Sequence, residues 1–296
     1  MEQIIQGAIS KFGCMPEQNA YDCVNNRPKS SENVLFDFGD DKILLAGYNK
    51  ASNRWHLFSS DILVPNEERF CRLMEFCIYC FKEKNAKKIM MESDDSLFEQ
   101  LKNEVKKLDS PSLKMSRVRY TYYWPVINLS SWNPDLSGKS WHKIRNMISS
   151  LCKKNNVTIG LATKNSKENL KKIVYDWKSN RRGKDRAEYR HYLNLIDNDF
   201  KGTDYTSSII VNGEPCSIAA GWKIPNTNSF YLSLALHNYK LKGLGELMYI
   251  ESLRHFKNMG LDTVDLGGSG NDLLAFKEKF KPDYIYKTYE FSLARS

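Results

Sequence analysis

The tightest constraint on the fold is an order of elements that occurs twice. Ala46-Gly47-Tyr48 in the first half matches Ala220-Gly221-Trp222 in the second, and the 42 residues from Gly47 to Ile89 nearly equal the 43 from Gly221 to Val264. In the first half NVLFDFG, DKILLAGY and NRWHLFSS read as a meander of short strands, separated by the turn formers Gly39-Asp40 and Ala51-Ser52-Asn53. Pro65-Asn66-Glu67-Glu68 then opens a helix of about twenty residues, whose apolar positions Phe70, Leu73, Cys77 and Cys80 recur at intervals of three and four. A strand, KKIMME, and a helix from about Asp95 to Lys107 follow. The second half runs SSIIVNG, CSIAAGWKI and FYLSLALHN with turns at Asn212-Gly213 and Pro225-Asn226, then a helix from about Gly243 to Met259 stopped by Gly260, then the strand DTVDLGG. The repetition predicts an α+β fold by internal duplication, with units at 1–114 and 115–296, each a mixed central sheet flanked by helices. Two loosely similar units that match by chance are the alternative.

Between the halves the aromatic strand YTYYWPVINL leads through Trp132-Asn133-Pro134 to the helix GKSWHKIRNMISSLCKKNN. The strand VTIGLA, a helix starting near Ser166 with Leu170, Ile173, Val174 and Trp177 on one side, and the polar stretch Ser179 to Asp185 come next. No low-complexity linker intervenes, so the units are expected to pack closely.

This middle region holds the charge. From Gly138 to His191 there are fifteen basic residues (Lys139, Lys143, Arg145, Lys153, Lys154, Lys164, Lys167, Lys171, Lys172, Lys178, Arg181, Arg182, Lys184, Arg186, Arg190) against four acids. The window is therefore +11 within a chain of net charge +9, and the remainder is −2. A concentrated excess of this kind points to a site for phosphates rather than to solubility alone, a solvated basic face being the bland alternative. The longest apolar runs, such as Phe76-Cys77-Ile78-Tyr79-Cys80-Phe81, fall far short of a membrane span. The start MEQIIQGAISKFG lacks the build of a secretory signal, and the seven cysteines follow no framework spacing, so reduced thiols and a cytoplasmic location are expected.

The most informative segment is FYLSLALHNYKLKGLGELMYIESLRHFKNMG. A strand enters Lys240-Leu241-Lys242-Gly243-Leu244-Gly245, and the two glycines stand where a helix begins. Bare backbone at a helix N-terminus beside two lysines suits a phosphate; an ordinary turn that needs positive φ suits the same residues. The spacing is neither GxGxxG nor the Lys-terminated phosphate loop, so dinucleotide and ATP sites are disfavoured. Cys77 and Cys80 read as part of a buried helix face rather than a redox or metal pair, and no metal site is expected. The histidines are isolated, with His237 close enough to the strand end to touch substrate.

On these residues the chain resembles the GNAT acyltransferase superfamily, whose pyrophosphate-binding motif is Gln or Arg, two residues, Gly, one residue, then Gly or Ala. Lys240 stands in the first place, which keeps the charge and loses the planar fork of arginine. Further on, VDLGGSGNDLLAFKEKFKP looks like the signature of the FemAB-type branch, and phosphatidylglycerol lysyltransferases have a similar C-terminal ending. The resemblance runs from about Tyr205 to Arg295. It implies two tandem GNAT-like units and direct acyl transfer to an amine, without a covalent enzyme intermediate. Backbone N–H groups near Leu236 and His237 would polarise the carbonyl, and Lys240, Lys242, Gly243, Leu244 and Gly245 would hold the donor. Lys277 would stabilise developing negative charge where common GNAT enzymes carry a tyrosine acid. Asp265 is expected to orient the acceptor amine, and Tyr286, with Tyr284 and Tyr289, to act as an acid or line the pocket. Alternation in a final strand accounts equally well for these tyrosines, a solvated helix face for Lys277 and a capping turn for Asp265.

The matching stretch of the first half, Val64-Pro65-Asn66-Glu67-Glu68, lacks the glycines and sets carboxylates at a helix N-terminus, where an anionic donor is repelled. The second unit is thus expected to be catalytic and the first to be scaffold or acceptor-binding. No permanently bound cofactor is expected. The co-substrate is an acyl-CoA, slightly favoured by the local glycine loop, or an aminoacyl-tRNA. The acceptor is a small amine, a peptide or a lipid. A non-catalytic module that binds nucleic acid or acceptor through the basic block is the reading from a different class.

Overall fold

The first sheet combines strands of alternating burial, Arg54–Phe58 and Lys88–Asp94, with one buried on both faces, Ile43–Asn49, and turns with left-handed residues punctuate it. In this computed structural model, which describes residues 1–25, 31–107, 113–180 and 189–295, the chain separates into two compact units. One comprises Met1–Trp124 with Tyr286–Ser296, the other Pro125–Ile285. Helix α1 (Glu2–Phe12) buries Ile5, Ala8 and Ile9, and α2 (Ala20–Asn25) buries Ala20; they cover Ile43, Leu45 and Leu63. Strands β1 (Glu32–Asp37), β2 (Ile43–Asn49) and β3 (Arg54–Phe58) form the meander. Positive φ at Gly39, Asp40, Asp41 and Asn53 marks the turns, where glycine, Asn and Asp carry the least penalty.

A short strand β4 (Ile62–Leu63) adds to β2, and after a 3-10 turn at Asn66–Glu68 helix α3 (Arg69–Lys82) follows. Its fourteen residues are fewer than the expected twenty because the first turn is 3-10. Strand β5 (Lys88–Asp94), helix α4 (Asp95–Lys107) and β6 (Lys114–Met115) complete this stretch. The core under α3 is aromatic, with Phe36 and Trp55 meeting Phe76 edge-on at 5.2 and 5.7 Å. Such pairs add about 1 kcal/mol each beyond the area they bury.

Strand β7 (Tyr120–Asn128) leads into the second unit. There α5 (His142–Lys154), β8 (Val157–Gly160), α6 (Lys167–Asn180) and α7 (Arg190–Asp197) precede β9 (Tyr205–Val211), β10 (Glu214–Pro215), β11 (Ser217–Lys223) and β12 (Ser229–His237). Helix α8 (Leu244–Asn258), β13 (Thr263–Asp265), α9 (Asn271–Lys277) and β14 (Tyr284–Ala294) end the chain. Helices α1, α2 and α7 are additions to the sequence reading. Of the basic block, Arg181, Arg182, Lys184 and Arg186 lie outside the described residues.

The two units repeat one topology. β1 and β2, then β2 and β3, pair antiparallel; β3 and β5 pair parallel; β5 and β14 pair antiparallel. In the same order β9 and β11, then β11 and β12, pair antiparallel; β12 and β13 pair parallel; β13 and β7 pair antiparallel. Gly47 and Gly221 both fall on the second strand of this series, as the duplication requires. Each sheet is closed by a strand from the opposite end of the series in sequence. The last strand of the chain, β14, completes the first unit, and β7 completes the second.

Candidate active site

Sheet geometry in the second unit creates an opening before any reactive side chain is considered. β12 pairs with β13 only over Ser229–Tyr231, so its edge from Leu232 to His237 has no β13 partner. Along its other edge β12 carries one extra residue. Ala220 is opposite Leu234 and Trp222 opposite Tyr231, a bulge that gives β12 three steps for two of β11. Side-chain alternation switches there. Phe230 and Leu232 enter the core beneath α5 and α8, whereas Leu234 and Leu236 enter the core beneath α6 and α7. Gly221 permits the bulge, because a Cβ at this position would lie 2.0 Å from the Tyr231 carbonyl oxygen. The sequence signal was the glycine itself; the bulge was not foreseen.

Beyond Leu236, the donor loop runs to α8. Lys240 and Lys242 are exposed and Leu244 is buried. Gly243 precedes the helix with φ +89, and a Cβ there would meet the Met147 carbonyl oxygen of α5 at 2.5 Å. Gly245 is in the first turn, and a Cβ on it would strike the His237 imidazole at 2.6 Å. Both glycines are therefore occupied by close approach within the chain. His237 is held by Tyr239, edge-on at 4.7 Å, and by Phe276, stacked at 6.0 Å. Burial lowers its pKa to about 4 against the pull of nearby Glu246, so the ring is neutral at physiological pH. Glu246, buried in the same turn, pairs with Lys279 at 2.8 Å. A carboxylate at a helix N-terminus is favoured by the dipole and opposes a second anion there.

Across the opening, β13 ends at Asp265 and the chain turns through Gly267, φ +85. Asp265, 2% exposed, accepts the Gly267 N–H at 2.7 Å, which is the turn geometry expected as its bland alternative. The Gly267 carbonyl accepts from Ser269 Oγ at 3.1 Å and from Lys277 Nζ at 2.9 Å. Lys277 is 3% exposed, so it is not a solvated lysine of an amphipathic helix. Burial lowers its pKa to about 7, while Asp265 opposes the shift. An ammonium has three donors, and Gly267 accepts one of them. Lys277 thus sits near neutrality, where a group both gives and takes a proton at little cost.

The structure brings Lys277, Asp265 and Gly267 together beside Tyr231. Tyr286 belongs to the first unit instead, where its ring stacks on Trp124 at 5.7 Å. Strand β14 closes the first sheet, and Tyr286 goes with it. In the first unit, Glu68 at the head of α3 is bridged to Lys42 at 2.6 Å and Arg72 at 3.0 Å, in place of any bound anion. Part of the basic block serves packing. Arg145 donates to the Gly138 carbonyl at 2.8 Å, Lys167 pairs with Asp199 at 2.8 Å, Lys171 pairs with Asp197, and Lys178 lies 3.4 Å over the Tyr189 ring. Cys77 and Cys80 are buried, with burial raising the Cys77 thiol to about 12. Among the described residues no cluster has the composition of a metal site, and no helix is long and apolar enough to cross a membrane.

Comparison with known proteins supplies the family. Among curated proteins, no sequence matches significantly. Several solved structures share the fold. L-PGS from Bacillus licheniformis superposes with a TM-score of 0.67 at 13% identity, over 99% of this chain and 91% of that one. FemX gives 0.66 at 13% identity over 99% and 95%. A tandem GNAT protein from the clavulanic acid biosynthesis pathway gives 0.58 at 11% over 99% and 94%. These likenesses establish the architecture of two tandem GNAT-like units, each a mixed sheet flanked by helices. Residues 48–291 match the family described as phosphatidylglycerol lysyltransferase, C-terminal. With most of its length inside that match, the chain belongs to the phosphatidylglycerol lysyltransferase C-terminal family, a group of transferases.

Proposed function

We propose that the chain transfers an aminoacyl group from a charged tRNA to a nucleophilic acceptor, an amine or a hydroxyl. The observation that carries this reading is the packing of Gly243 and Gly245. In a CoA site those glycines leave backbone N–H groups open to a pyrophosphate. Here contacts within the chain account for both glycines, since a Cβ on Gly243 would meet the Met147 carbonyl oxygen and one on Gly245 the His237 ring, and the same turn already holds an ion pair, Glu246 with Lys279. On this reading the aminoacyl-tRNA, the second of the two donors expected from the loop sequence, is preferred. Lys240 and Lys242 remain at the rim as phosphate contacts, and Lys143, one helical turn before Met147, lies on the same face of α5. Exposed Tyr239 offers a ring for stacking an unpaired base of the acceptor end.

In the reaction the donor ester carbonyl occupies the opening beside Leu232–His237, where backbone N–H groups on the open edge, that of His237 among them, polarise it; the Leu236 N–H faces β11 instead. The acceptor attacks the carbonyl carbon, its new bond forms, and the bond to the ribose oxygen breaks. Lys277 in its protonated form gives a proton to the departing oxygen and is restored by the proton the acceptor releases. Asp265 fixes the Gly267 turn from which Lys277 is aimed.

The test is a transfer assay with labelled aminoacyl-tRNA and, separately, labelled acyl-CoA, against amine and lipid acceptors. Transfer or accelerated ester loss from the tRNA with no turnover of acyl-CoA is expected. Equal or better turnover of acyl-CoA would overturn the reading.

A further inference from the structure

The outer edge of the second sheet carries a surface that the transfer reaction does not use. Among the described residues β8 pairs on one side only, with β9, in register from Val157↔Val211 to Gly160↔Ser208. Val157 packs against the core beneath α5 and α8. Ile159, two residues on and so on the same face, lies opposite buried Ile209 yet is 48% exposed. Leu161 follows in extended backbone, φ −69 and ψ 136, and is 50% exposed. The core face of the sheet thus runs out past its helices into solvent at Ile159, with a second large aliphatic side chain, Leu161, two residues on.

Exposed lysines bracket that pair. Lys153 and Lys154 end α5 immediately before β8, and Lys164 closes the 3-10 turn immediately after it. Four strand residues span about 13 Å, so cations stand at both ends of a short apolar ridge. From Leu151 to Lys167 the chain has no acidic residue. Lysines often guard an open sheet edge, but a guarded edge has polar groups in the very places taken by Ile159 and Leu161.

We propose that this edge docks on an anionic lipid surface. Ile159 and Leu161 enter the boundary between headgroups and acyl chains, and Lys153, Lys154 and Lys164 face the phosphates. Aliphatic insertion flanked by basic residues is the pattern of a reversible interfacial anchor. An RNA surface matches the lysines and leaves the aliphatic pair without a role, since unpaired bases stack on aromatic or guanidinium planes.

The full chain is tested by co-sedimentation with phosphatidylcholine vesicles, with and without phosphatidylglycerol. Partition onto the phosphatidylglycerol vesicles alone is expected, weakening as salt rises. Ile159→Glu with Leu161→Glu should reduce it by about tenfold or more. Lys153→Gln, Lys154→Gln and Lys164→Gln together should reduce it and flatten the salt dependence. Every substituted side chain is exposed, and an unchanged melting temperature verifies the fold of each variant. The aliphatic variant should keep transfer to a soluble acceptor, which separates failure of docking from failure of the proposed reaction. Absence of wild-type partition, or equal partition of the Glu variant, would overturn the proposal. So would a Glu variant that binds lipid normally and loses affinity for tRNA, an outcome that assigns the edge to RNA.

Discussion

Replacing Lys277 with methionine should abolish transfer and make the protein more stable. A lysine ordinarily titrates at 10.5, and here burial holds it at about 7. That difference disfavours the charged form by about 5 kcal/mol relative to the unfolded chain. Sign follows from proton counts. Below about pH 7 both states are protonated and the whole cost of burying the ammonium is present; between about pH 7 and 10.5 only the unfolded chain holds the proton, so stability rises with pH. Methionine fills a similar volume without charge and forfeits the hydrogen bond to the Gly267 carbonyl, a contact of about 1–2 kcal/mol. The net expectation for Lys277→Met at about pH 6 is a gain of about 2–4 kcal/mol, which shrinks steadily above neutrality. Urea unfolding across this pH range measures it, and the aminoacyl-tRNA assay measures the loss of turnover. A variant that is less stable at pH 6 and retains turnover would refute both the buried-cation argument and the assigned role.

Gly221→Ala should cost more than about 3 kcal/mol, read as a fall in the urea midpoint, because its methyl group meets the Tyr231 carbonyl oxygen at 2.0 Å and the bulge has no slack. Glu92 is held at about 7 by burial, with Glu290 adding to the shift and the Thr288 hydroxyl opposing it. The folded carboxyl keeps its proton after the unfolded one has released it, so stability falls as pH rises from about 4.5 to 7. Glu92→Gln should accordingly be near neutral at about pH 4 and stabilise by about 2–3 kcal/mol at about pH 8, by thermal melts at each pH. Alkylation of the native protein should mark exposed Cys14, Cys71 and Cys152 and spare Cys77 and Cys80 until unfolding, as peptide mass mapping can establish.

Much of the fold was legible because the signals are local. The short apolar runs in Asn33–Gly39 and Asp41–Tyr48 bounded by turn formers, the spacing of Phe70, Leu73, Cys77 and Cys80, and the glycine stop at Gly260 each report on residues within a turn or a strand of one another. The duplication was legible because Gly47 and Gly221 stand on equivalent strands. The site was only half legible. Lys277 was named from a resemblance, but nothing in FKEKFKP distinguishes a buried ammonium from a solvated one. The loop Lys240–Gly245 was read as a phosphate cradle from the glycines alone. Which atoms fill the space over a glycine depends on α5 and on the end of β12, and no local pattern carries that information.

The sequence by itself determined the order of elements within the repeat, the repeat itself, the absence of glycines from the first helix entrance and the confinement of positive charge to one window. All of these are properties of neighbours along the chain. Tertiary structure decided that β14 closes the first sheet and takes Tyr286 with it, and that an extra residue in β12 reverses its faces. It also decided that part of the basic window supports packing while lysines at both ends of β8 stand clear. Strand pairing, burial and desolvation bring together residues far apart in sequence, and it is those encounters that set the pKa of Lys277 and fill the space over Gly245.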